Sequence, residues 1–548
     1  MNRLKRGDVG AAAIIVAAGI LVSRFLGIIR DMVFAALLGS SGTTDEYVAA
    51  FRIPDYANYL LAGGFLTITF IPIFAKYLAN DDEDGGWSAF TAIFRWLAIG
   101  IIAVIIAAWL ATPWIIETLY PDFNAEQLAS TITLTRVILP AQFAFVVGAL
   151  FVAVQYAQGV FTIPTLAPVI YNLAIIIGGV SWTLATGEAD PAGFIWGALV
   201  GAFIGNLFLQ VWGARRVGMH LIRGTSWTHP AVKAYLLIAI PLMIGQSIVA
   251  LDEVFMSVFG NMVEAGAQTD LQYARRTMFV PIGVIAQAAA VAAYPTLARL
   301  FAEGNRKEML RTVNKALTYV VVLSIGAAGM VIALAFPLVR VLYERGEFTS
   351  EVTASVSAAL FVYAFGIPVW GALQIITRAF YATRDMWTPV IVGTAITIVA
   401  IPGYFVAQEA LGIEGVALAS VLSLTLYTSV LAIIWYRRPD ATADGRKVLA
   451  NAGRAIPLAV PASIAAGFVS WALWSGITGA PTIAAIVALI VGAAVYVGVS
   501  LGIGGLLYDW LSRSDTAQEV PDAGQTLSDV TDDVEDEPTS EYKLPPSG

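Results

Sequence analysis

The sequence contains no cysteine and only two histidines, His220 and His229, among 548 residues. Without cysteine the chain forms neither a disulfide nor a thiolate metal site, and two histidines in one loop provide little for a metal centre or a histidine-based catalytic centre. A phosphate-binding glycine loop with Lys-Ser/Thr, a nucleophile elbow and a metal-ligand cluster are also missing. These absences predict that the protein is not an enzyme and has no metal or other cofactor.

Charge is scarce as well. Charged residues make up 13% of the chain, about half of the ~25% usual in soluble domains. The pI near 5.0 and the lack of a basic domain argue against nucleic-acid binding. Apolar residues reach 58% and occur in runs of helix length, not in alternating ten-residue segments. The composition therefore predicts an all-α polytopic membrane protein.

Fourteen apolar segments of helix length follow one another along the chain. They lie at residues 11-39, 44-79, 87-118, 126-158, 163-186, 191-216, 230-260, 268-302, 309-343, 351-382, 386-410, 414-437, 452-477 and 481-510. Lys and Arg concentrate in alternate loops, for example around Arg215, Arg306 and Arg437, with Arg345 the clear exception. This distribution predicts fourteen transmembrane helices with both termini in the cytoplasm.

The two halves of the membrane region repeat weakly at a nearly constant spacing. The matching pairs are 70-79 with 293-302 and 148-150 with 371-373, both offset by 223, and 31-39 with 252-260, offset by 221. Since this spacing covers six segments, an even number, both halves have the same orientation in the membrane. The repeat predicts two pseudo-symmetric six-helix lobes that face one another around a central cavity.

The domain organisation follows from this repeat and from a change of composition near the C-terminus. The predicted units are an N-terminal lobe at 1-218, a C-terminal lobe at 219-440, two additional transmembrane helices at 441-511 and a tail at 512-548. The tail is rich in Ser, Thr, Asp, Glu and Pro, which cannot bury a core. We expect it to be disordered and cytoplasmic.

Three charges interrupt the first apolar segment: Arg24, Arg30 and Asp31. A charge at bilayer depth persists mainly where it faces a cavity or a partner. At 100° per residue Arg24 and Asp31 fall on nearly the same helix face, whereas Arg30 lies roughly 120° away from Arg24. Because guanidinium groups stay charged and bind phosphates through paired hydrogen bonds, the stretch predicts an anionic ligand, with part of the charge compensated by Asp31.

Six short motifs are spread through the membrane segments. They are Ser23-Arg24-x-x-Gly27-x-x-Arg30-Asp31, Thr44-Asp45 with Phe51-Arg52-Ile53-Pro54, Leu134-Thr135-Arg136 with Pro140, Phe161-x-Ile163-Pro164, Tyr273-Ala274-Arg275-Arg276 with Pro281, and Arg378-Ala379-Phe380-Tyr381 with Asp385. Their combination resembles the MviN/MurJ family of lipid II flippases, within the superfamily of multidrug, oligosaccharidyl-lipid and polysaccharide exporters.

The resemblance implies transport of lipid II, a polyprenyl-diphosphate-linked disaccharide-pentapeptide, from the inner to the outer leaflet of the bacterial cytoplasmic membrane for peptidoglycan biosynthesis. It also implies a cationic cavity between the lobes and a lipid-facing groove formed by the last two helices. The predicted substrate-binding residues are Arg24, Arg30, Asp31, Asp45, Arg52 and Arg276. Arg276 is preferred over its neighbour Arg275.

The sequence departs from the family pattern at several positions. Gly63 stands where relatives commonly have a glutamate, Asn58-Tyr59 where they often have paired arginines, and Phe279 where they have an acid. These changes leave the flippase interpretation in place and weaken the identification of the head group.

Conversely, Asp252 and Glu253 stand in the seventh segment where many relatives are neutral. An acid in this position predicts an ion-coupling site, for sodium or a proton, because each charge moved gains about 2.3 kcal/mol per 100 mV of membrane potential. The alternative is neutralisation of a basic neighbour across the lobe interface.

Other functions stay open at this point. They are a flippase for another polyprenyl-diphosphate glycan of the capsule or O-antigen type, a multidrug exporter of the same superfamily, and a non-transporting scaffold. An arginine-lined pocket would favour lipid diphosphates, and an apolar, acid-lined one would favour drugs. The expected partners are the lipid substrate, the bilayer and cell-wall synthesis proteins that bind the cytoplasmic loops or the tail.

Overall fold

A chain this apolar pairs its backbone groups in lipid by forming helices. The computed structural model describes the backbone of residues 6–61, 65–383, 385–437, 442–477 and 480–518. In these ranges the chain is helical and contains no strand, which confirms the all-α prediction.

The first half of the chain contains nine helices. They are α1 (Arg6–Leu38), α2 (Gly42–Leu61), α3 (Phe65–Ala79), α4 (Glu83–Leu119), α5 (Ala125–Ile138), α6 (Ala141–Ala157), α7 (Thr162–Thr186), α8 (Pro191–Gly201) and α9 (Leu209–Arg216). The rest of the described chain contains α10 (Pro230–Asn261), α11 (Ala267–Ile282), α12 (Ala288–Ala302), α13 (Arg306–Tyr343), α14 (Ser350–Ala364), α15 (Ile367–Ala382), α16 (Trp387–Tyr436), α17 (Thr442–Gly476) and α18 (Pro481–Gln518). Two π-helical segments, Ala202–Phe208 and Gly283–Gln287, join α8 to α9 and α11 to α12.

Where the structure describes them, all fourteen predicted segments are mainly helical, and several of them are broken. Within the described residues, eight helices are long and apolar enough to cross a membrane, and a ninth crossing is reached if α14 and α15, bent by 47°, form one span. Helices α2, α10 and α11 are not among the eight, and they carry most of the predicted site charges. The number of fourteen crossings stays a prediction.

Gly412 divides α16 into two parts. Its φ of 58° and ψ of −131° are not helical, and only glycine adopts such a conformation without a steric penalty. The break falls between the predicted segments 386-410 and 414-437, so this boundary is confirmed.

The order of the helices repeats between the two halves. In each half a long helix (α1 or α10) is followed by two shorter ones (α2 and α3, or α11 and α12) and then by another long helix (α4 or α13). We call α1–α9 the first lobe and α10–α16 the second lobe. One continuous cluster of buried apolar side chains runs through both lobes. The predicted domain bounds stay a prediction.

The last two helices pack on α13 of the second lobe. The Ser463 hydroxyl of α17 donates to the Gly329 carbonyl at 3.0 Å, and the Tyr496 hydroxyl of α18 donates to the Gly326 carbonyl at 2.7 Å. Helix α18 continues to Gln518, past the predicted start of the tail at 512, because no proline or glycine interrupts residues 512–518. The rest of the predicted tail, 519–548, lies outside the described residues, as does Gly63.

Candidate functional site

Asp31 of α1 joins the two lobes through two arginines. Its side chain accepts a hydrogen bond from Arg30 Nη2 at 2.9 Å and one from Arg276 Nη1 of α11 at 2.5 Å. The residue is only 7% exposed. Arg30 also donates through Nη1 to the Asn172 amide oxygen of α7 at 3.0 Å. Three predicted site residues are therefore in direct contact, and this group keeps one net positive charge.

Arg24 reaches the second lobe by a different route. Its Nη2 donates to the Gln287 amide oxygen at 2.7 Å, and its guanidinium lies directly against the backbone of Gly283. A Cβ atom at Gly283 would overlap this guanidinium. Although Arg24 and Asp31 share a helix face, they do not pair, because seven residues separate them by about 10 Å along α1 and Arg30 and Arg276 already occupy the carboxylate. The charge that Asp31 compensates within this stretch is therefore that of Arg30 and not that of Arg24.

Arg52 of α2 is enclosed by both lobes and is only 4% exposed. Its Nε donates to the Val48 carbonyl at 3.1 Å, and its Nη2 donates to the Gln272 amide oxygen of α11 at 3.1 Å. Its Nη1 lies 3.8 Å from Glu253 Oε2 of α10. A substrate would reach Arg52 only after α2 separates from α10 and α11, so its predicted role in binding depends on movement of the lobes.

Arg275 is buried in the second lobe, at 5% exposure. It forms an ion pair with Asp252, and its Nη2 lies 3.8 Å from Glu253 Oε1. Its guanidinium stands 5.3 Å from the ring centre of Phe279 and 5.8 Å from that of Trp370. Where relatives place an acid, this chain thus places a ring that contacts the cation through its π face.

Asp252 is neutralised within its own lobe, by Arg275 of α11, and not by a basic residue across the interface. Its second oxygen, Oδ1, accepts hydrogen bonds from the Tyr404 hydroxyl at 2.9 Å and from the Ser420 hydroxyl at 2.8 Å. The neighbouring acid, Glu253, is the one that approaches a basic residue across the interface, Arg52 of the first lobe. In the described part of the chain, no three His, Cys, Asp or Glu residues come together as metal ligands.

Glu253 lies between one arginine of each lobe. Arg52 of α2 and Arg275 of α11 both approach its carboxylate at 3.8 Å. Glu253 therefore links the charged residues of the two lobes.

Asp45 holds one end of the interface closed. This buried carboxylate of α2 accepts hydrogen bonds from the backbone N–H of Gly266 at 2.6 Å and of Thr269 at 3.0 Å, and from the Thr269 hydroxyl at 2.7 Å. It thereby caps the first turn of α11, whose N–H groups have no helical acceptor. Asp45 does not face the arginines, and contact with a substrate would require this cap to open.

Other hydrogen bonds close the same end. Ser40 Oγ donates to the Gly266 carbonyl at 2.9 Å, and the Glu347 N–H donates to the Ala36 carbonyl at 3.0 Å. Each links a loop or helix end of the first lobe to the second. The end of the molecule that carries residues 39–41 is therefore sealed.

Charged residues of the two lobes face one another along a line that we call the charged seam. It consists of Arg24, Arg30, Asp31, Arg52, Asp55, Asp252, Glu253, Arg275 and Arg276. Asp55 is included because it lies in the electrostatic neighbourhood of Arg52 and Arg276. Five arginines stand against four carboxylates, so the seam has an excess of one positive charge. Arg24 is exposed and Arg276 half-buried, which leaves part of this charge accessible.

Sequence reasoning missed Asp55 of the seam, placed Arg275 behind Arg276, and missed three amide residues beside the seam. Gln287, Gln272 and Asn172 orient Arg24, Arg52 and Arg30. The amide residues could have been found in the sequence, because a polar side chain inside an apolar segment needs a partner at membrane depth.

Two lobes of this helix order are also found in solved structures of transporters. A solved structure of a multidrug resistance MATE family transporter of the MOP superfamily, in an inward-facing conformation, matches with a TM-score of 0.64 at 17% identity, over 80% of this chain and 99% of that chain. A structure of lipid II flippase MurJ in an inward closed conformation matches with a TM-score of 0.73 at 20% identity, over 91% of this chain and 99% of that chain. The chain therefore shares its fold with these two structures.

The family is settled by sequence. The family model for lipid II flippase MurJ matches residues 34–485. The probable lipid II flippase MurJ of Rhizobium tropici is 30% identical over 441 residues, which cover 78% of this chain and 80% of the relative. The chain belongs to the lipid II flippase MurJ family, and it is a multi-pass inner membrane protein of a family of transporters, not of catalysts.

Proposed function

We propose that this protein translocates lipid II from the inner to the outer leaflet of the cytoplasmic membrane by alternating access of its two lobes. The observation that carries the proposal is the contact of Arg30, Asp31 and Arg276 between the two lobes, with Arg24 beside it. Lipid II, a polyprenyl-diphosphate-linked sugar-peptide, suits such a seam, because the diphosphate of the lipid needs several charged hydrogen-bond donors.

The seam is a reason to favour a lipid diphosphate over a drug cation as the substrate. Its net charge is positive, whereas a cationic drug would be attracted by an excess of carboxylates. The polar head group would pass between the lobes, and the polyprenyl tail would stay in the bilayer, so that no large apolar surface leaves lipid.

The direction of transport rests on the proposed orientation, with both termini in the cytoplasm. Basic loops around Arg215 and Arg306 support this orientation through the positive-inside rule. The sealed end at Asp45 and Gly266 is then external, and Arg24, about two turns of α1 closer to the cytoplasm than Asp31, is exposed where a head group enters from the inner leaflet. Cell-wall synthesis proteins would meet the cytoplasmic loops or the acidic tail.

For the coupling ion we propose a site at Asp252, with Glu253 beside it, for sodium or a proton. A cavity of about 50 Å³ adjoins Asp252 and is lined by Thr397, Ser423 and Tyr427. Carboxylate and hydroxyl oxygens suit a hard cation. A cation at Asp252 competes with Arg275, and release of Arg275 would alter the charge around Glu253 and hence the contact with Arg52 of the first lobe.

The coupling proposal has a direct test. Asp252→Asn keeps the size of the side chain and removes its charge, so we expect loss of flipping in protein that still folds, with a lower melting temperature because buried Arg275 loses its ion-pair partner. Retained transport with the same ion dependence as the parent would contradict a coupling site at Asp252.

The experiment for the function is complementation. A bacterium depleted of its own lipid II flippase would express this chain, and we expect the parent to restore growth. Arg24→Ala and Arg276→Ala should fail at equal expression, whereas Arg311→Ala, an exposed arginine of α13 outside the seam, should restore growth. Failure of a well-expressed parent would indicate a different polyprenyl-diphosphate glycan, and growth with both seam variants would contradict the site.

A further inference from the structure

A cavity of about 580 Å³ opens between α4 of the first lobe and α10 of the second, far from the charged seam. Its walls include Trp96, Trp227, Leu236 and Leu237, whose side chains are all exposed, and Lys233 lies at its margin. The loop that joins the lobes, residues 217–229, forms one side of it. No carboxylate lines this cavity.

The exposed tryptophans of α4 place the cavity at a membrane boundary. Trp96 is 47% exposed, and towards the other end of the helix Trp109 and Trp114 are 42% and 70% exposed. Eighteen residues separate Trp96 from Trp114, which is about 27 Å along a helix, close to the ~30 Å thickness of the hydrocarbon core. Exposed tryptophans are enriched at the two edges of that core. Trp96 therefore marks one edge, on the side of the loop 217–229.

The wall at this edge is held in place by polar contacts. Trp96 Nε1 donates to the Trp227 carbonyl at 2.9 Å, and the two rings meet edge to face at 5.7 Å. Arg95 Nη1 donates to the Thr225 carbonyl at 2.9 Å, and its guanidinium stands 5.6 Å from the ring centre of Trp227. The cavity is thus preformed. Lys233 lines it, and Arg95, outside the lining, holds the Trp227 wall, both near the level of the lipid head groups.

Below this level the lining is apolar. Leu236 and Leu237 follow Lys233 by one turn of α10, toward the hydrocarbon core. The acidic loop at residues 81–84 is too distant to cancel the two cations, because Asp84 and Trp96 are separated by about 18 Å along α4. A cationic margin above an apolar cleft matches a molecule with an anionic head and an acyl chain.

We propose that this cavity binds an anionic glycerophospholipid of the adjacent leaflet, with its phosphate at Lys233 and one acyl chain along Trp96, Leu236 and Leu237. The cavity contains no residue of the charged seam, so the lipid site is separate from the residues proposed to hold the substrate. Because it touches both lobes and the loop that joins them, the lipid is a structural element of the lobe junction.

The test measures lipid binding to the full-length protein. The parent in detergent would be titrated with phosphatidylglycerol or phosphatidylcholine, and the bound lipid would be counted by native mass spectrometry. We expect phosphatidylglycerol to bind in preference to phosphatidylcholine. Lys233→Gln should weaken phosphatidylglycerol binding about five-fold, the effect of one lysine at an anionic lipid surface, and leave phosphatidylcholine unchanged.

Two further variants make the result specific. Lys315→Gln removes an exposed lysine on the same predicted side of the membrane and should behave as the parent. Val232→Trp fills the cavity and should lower binding of both lipids, with an unchanged melting temperature as the check that it folds. Equal effects of Lys233→Gln and Lys315→Gln, or displacement of phosphatidylglycerol by lipid II, would overturn the proposal, the latter because the site would then belong to the substrate path.

Discussion

At the scale of single residues, Asp31 is the centre of the seam because it compensates arginines from both lobes. A carboxylate shared by two guanidinium groups lowers their mutual repulsion and supplies an acceptor for each. Loss of this carboxylate leaves Arg30 and Arg276 close together without a counter-charge.

Asp31→Asn is therefore expected to destabilise the protein. The cost should be about 1–3 kcal/mol, the range for leaving partly buried donors without their acceptor, and it would appear as a lower melting temperature in detergent. In a double-mutant cycle with Arg276→Gln, the second substitution should recover part of the loss, because it removes one of the two uncompensated charges. Strictly additive effects would show that Asp31 and Arg276 do not interact.

Gly283 offers a way to move Arg24 without replacing it. A Cβ at this position occupies the place of the Arg24 guanidinium, which is the end of a flexible side chain and can shift. Gly283→Ala should consequently fold as well as the parent and transport less, since Arg24 loses Gln287. Gly100→Ala in α4, where a Cβ meets no other atom, is the matched control. Equal transport by both variants, measured in the growth assay, would contradict a role for Arg24 at this contact.

The positions of the site arginines were predictable from sequence, and most of their partners were not. Arg24, Arg30 and Arg276 stand out because charges inside apolar segments are rare. The contact of Asp31 with Arg276 spans 245 residues, and nothing local specifies it. The helical rotation between neighbours separates the two adjacent arginines: Arg276 contacts Asp31 of the first lobe, whereas Arg275 pairs with Asp252 of its own lobe.

At the scale of elements, the sealed end depends on a helix cap that crosses between the lobes. Asp45 of α2 caps α11, whereas Asp190 caps its own lobe's α8 through the Ala192 N–H at 2.6 Å. The first cap must break whenever this end opens, and the second need not. The two aspartates therefore form a matched pair for a test of the gate.

Asp45→Ala should shift the protein toward a conformation open at this end. A lost cap costs about 1 kcal/mol, which corresponds to a roughly five-fold change in population. Since the chain has no cysteine, spin labels on cysteines introduced at Glu188 and Glu409 would report the separation of the lobes. A longer distance should gain population in Asp45→Ala and not in Asp190→Ala. The same distribution in both variants would contradict a gating role for Asp45.

The positions of the helices could be predicted from the lengths of the apolar segments. The breaks within helices could be predicted only in part. The division at Gly412 was predictable because the apolar pattern pauses there. The π-helical segment Gly283–Gln287 was not, because its sequence is as apolar as that of its neighbours and its irregular backbone accompanies the approach of Arg24 from the other lobe.

At the scale of the whole molecule, the protein consists of two halves that are similar in helix order and differ in their charged residues. The halves share helix order, and the repeat pairs Asp31 with Asp252, whereas Glu253 has the neutral Met32 as its counterpart in the first lobe. Weak repeats in sequence were enough to predict the halves, because each repeat keeps its length. They could not predict which end is closed, since that depends on contacts such as Asp45 with Gly266.

The most direct measurement is the movement of lipid II between leaflets by purified protein. Proteoliposomes would contain fluorescent lipid II in both leaflets, and a membrane-impermeant quencher would report the fraction that becomes exposed with time. We predict that the parent and Arg311→Ala expose the protected lipid, and that Arg24→Ala combined with Arg276→Ala does so at least about ten-fold more slowly, as expected for lost charged hydrogen bonds. Equal rates for the parent and the double variant, with both folded, would contradict the claim that the seam's guanidinium groups carry the lipid diphosphate.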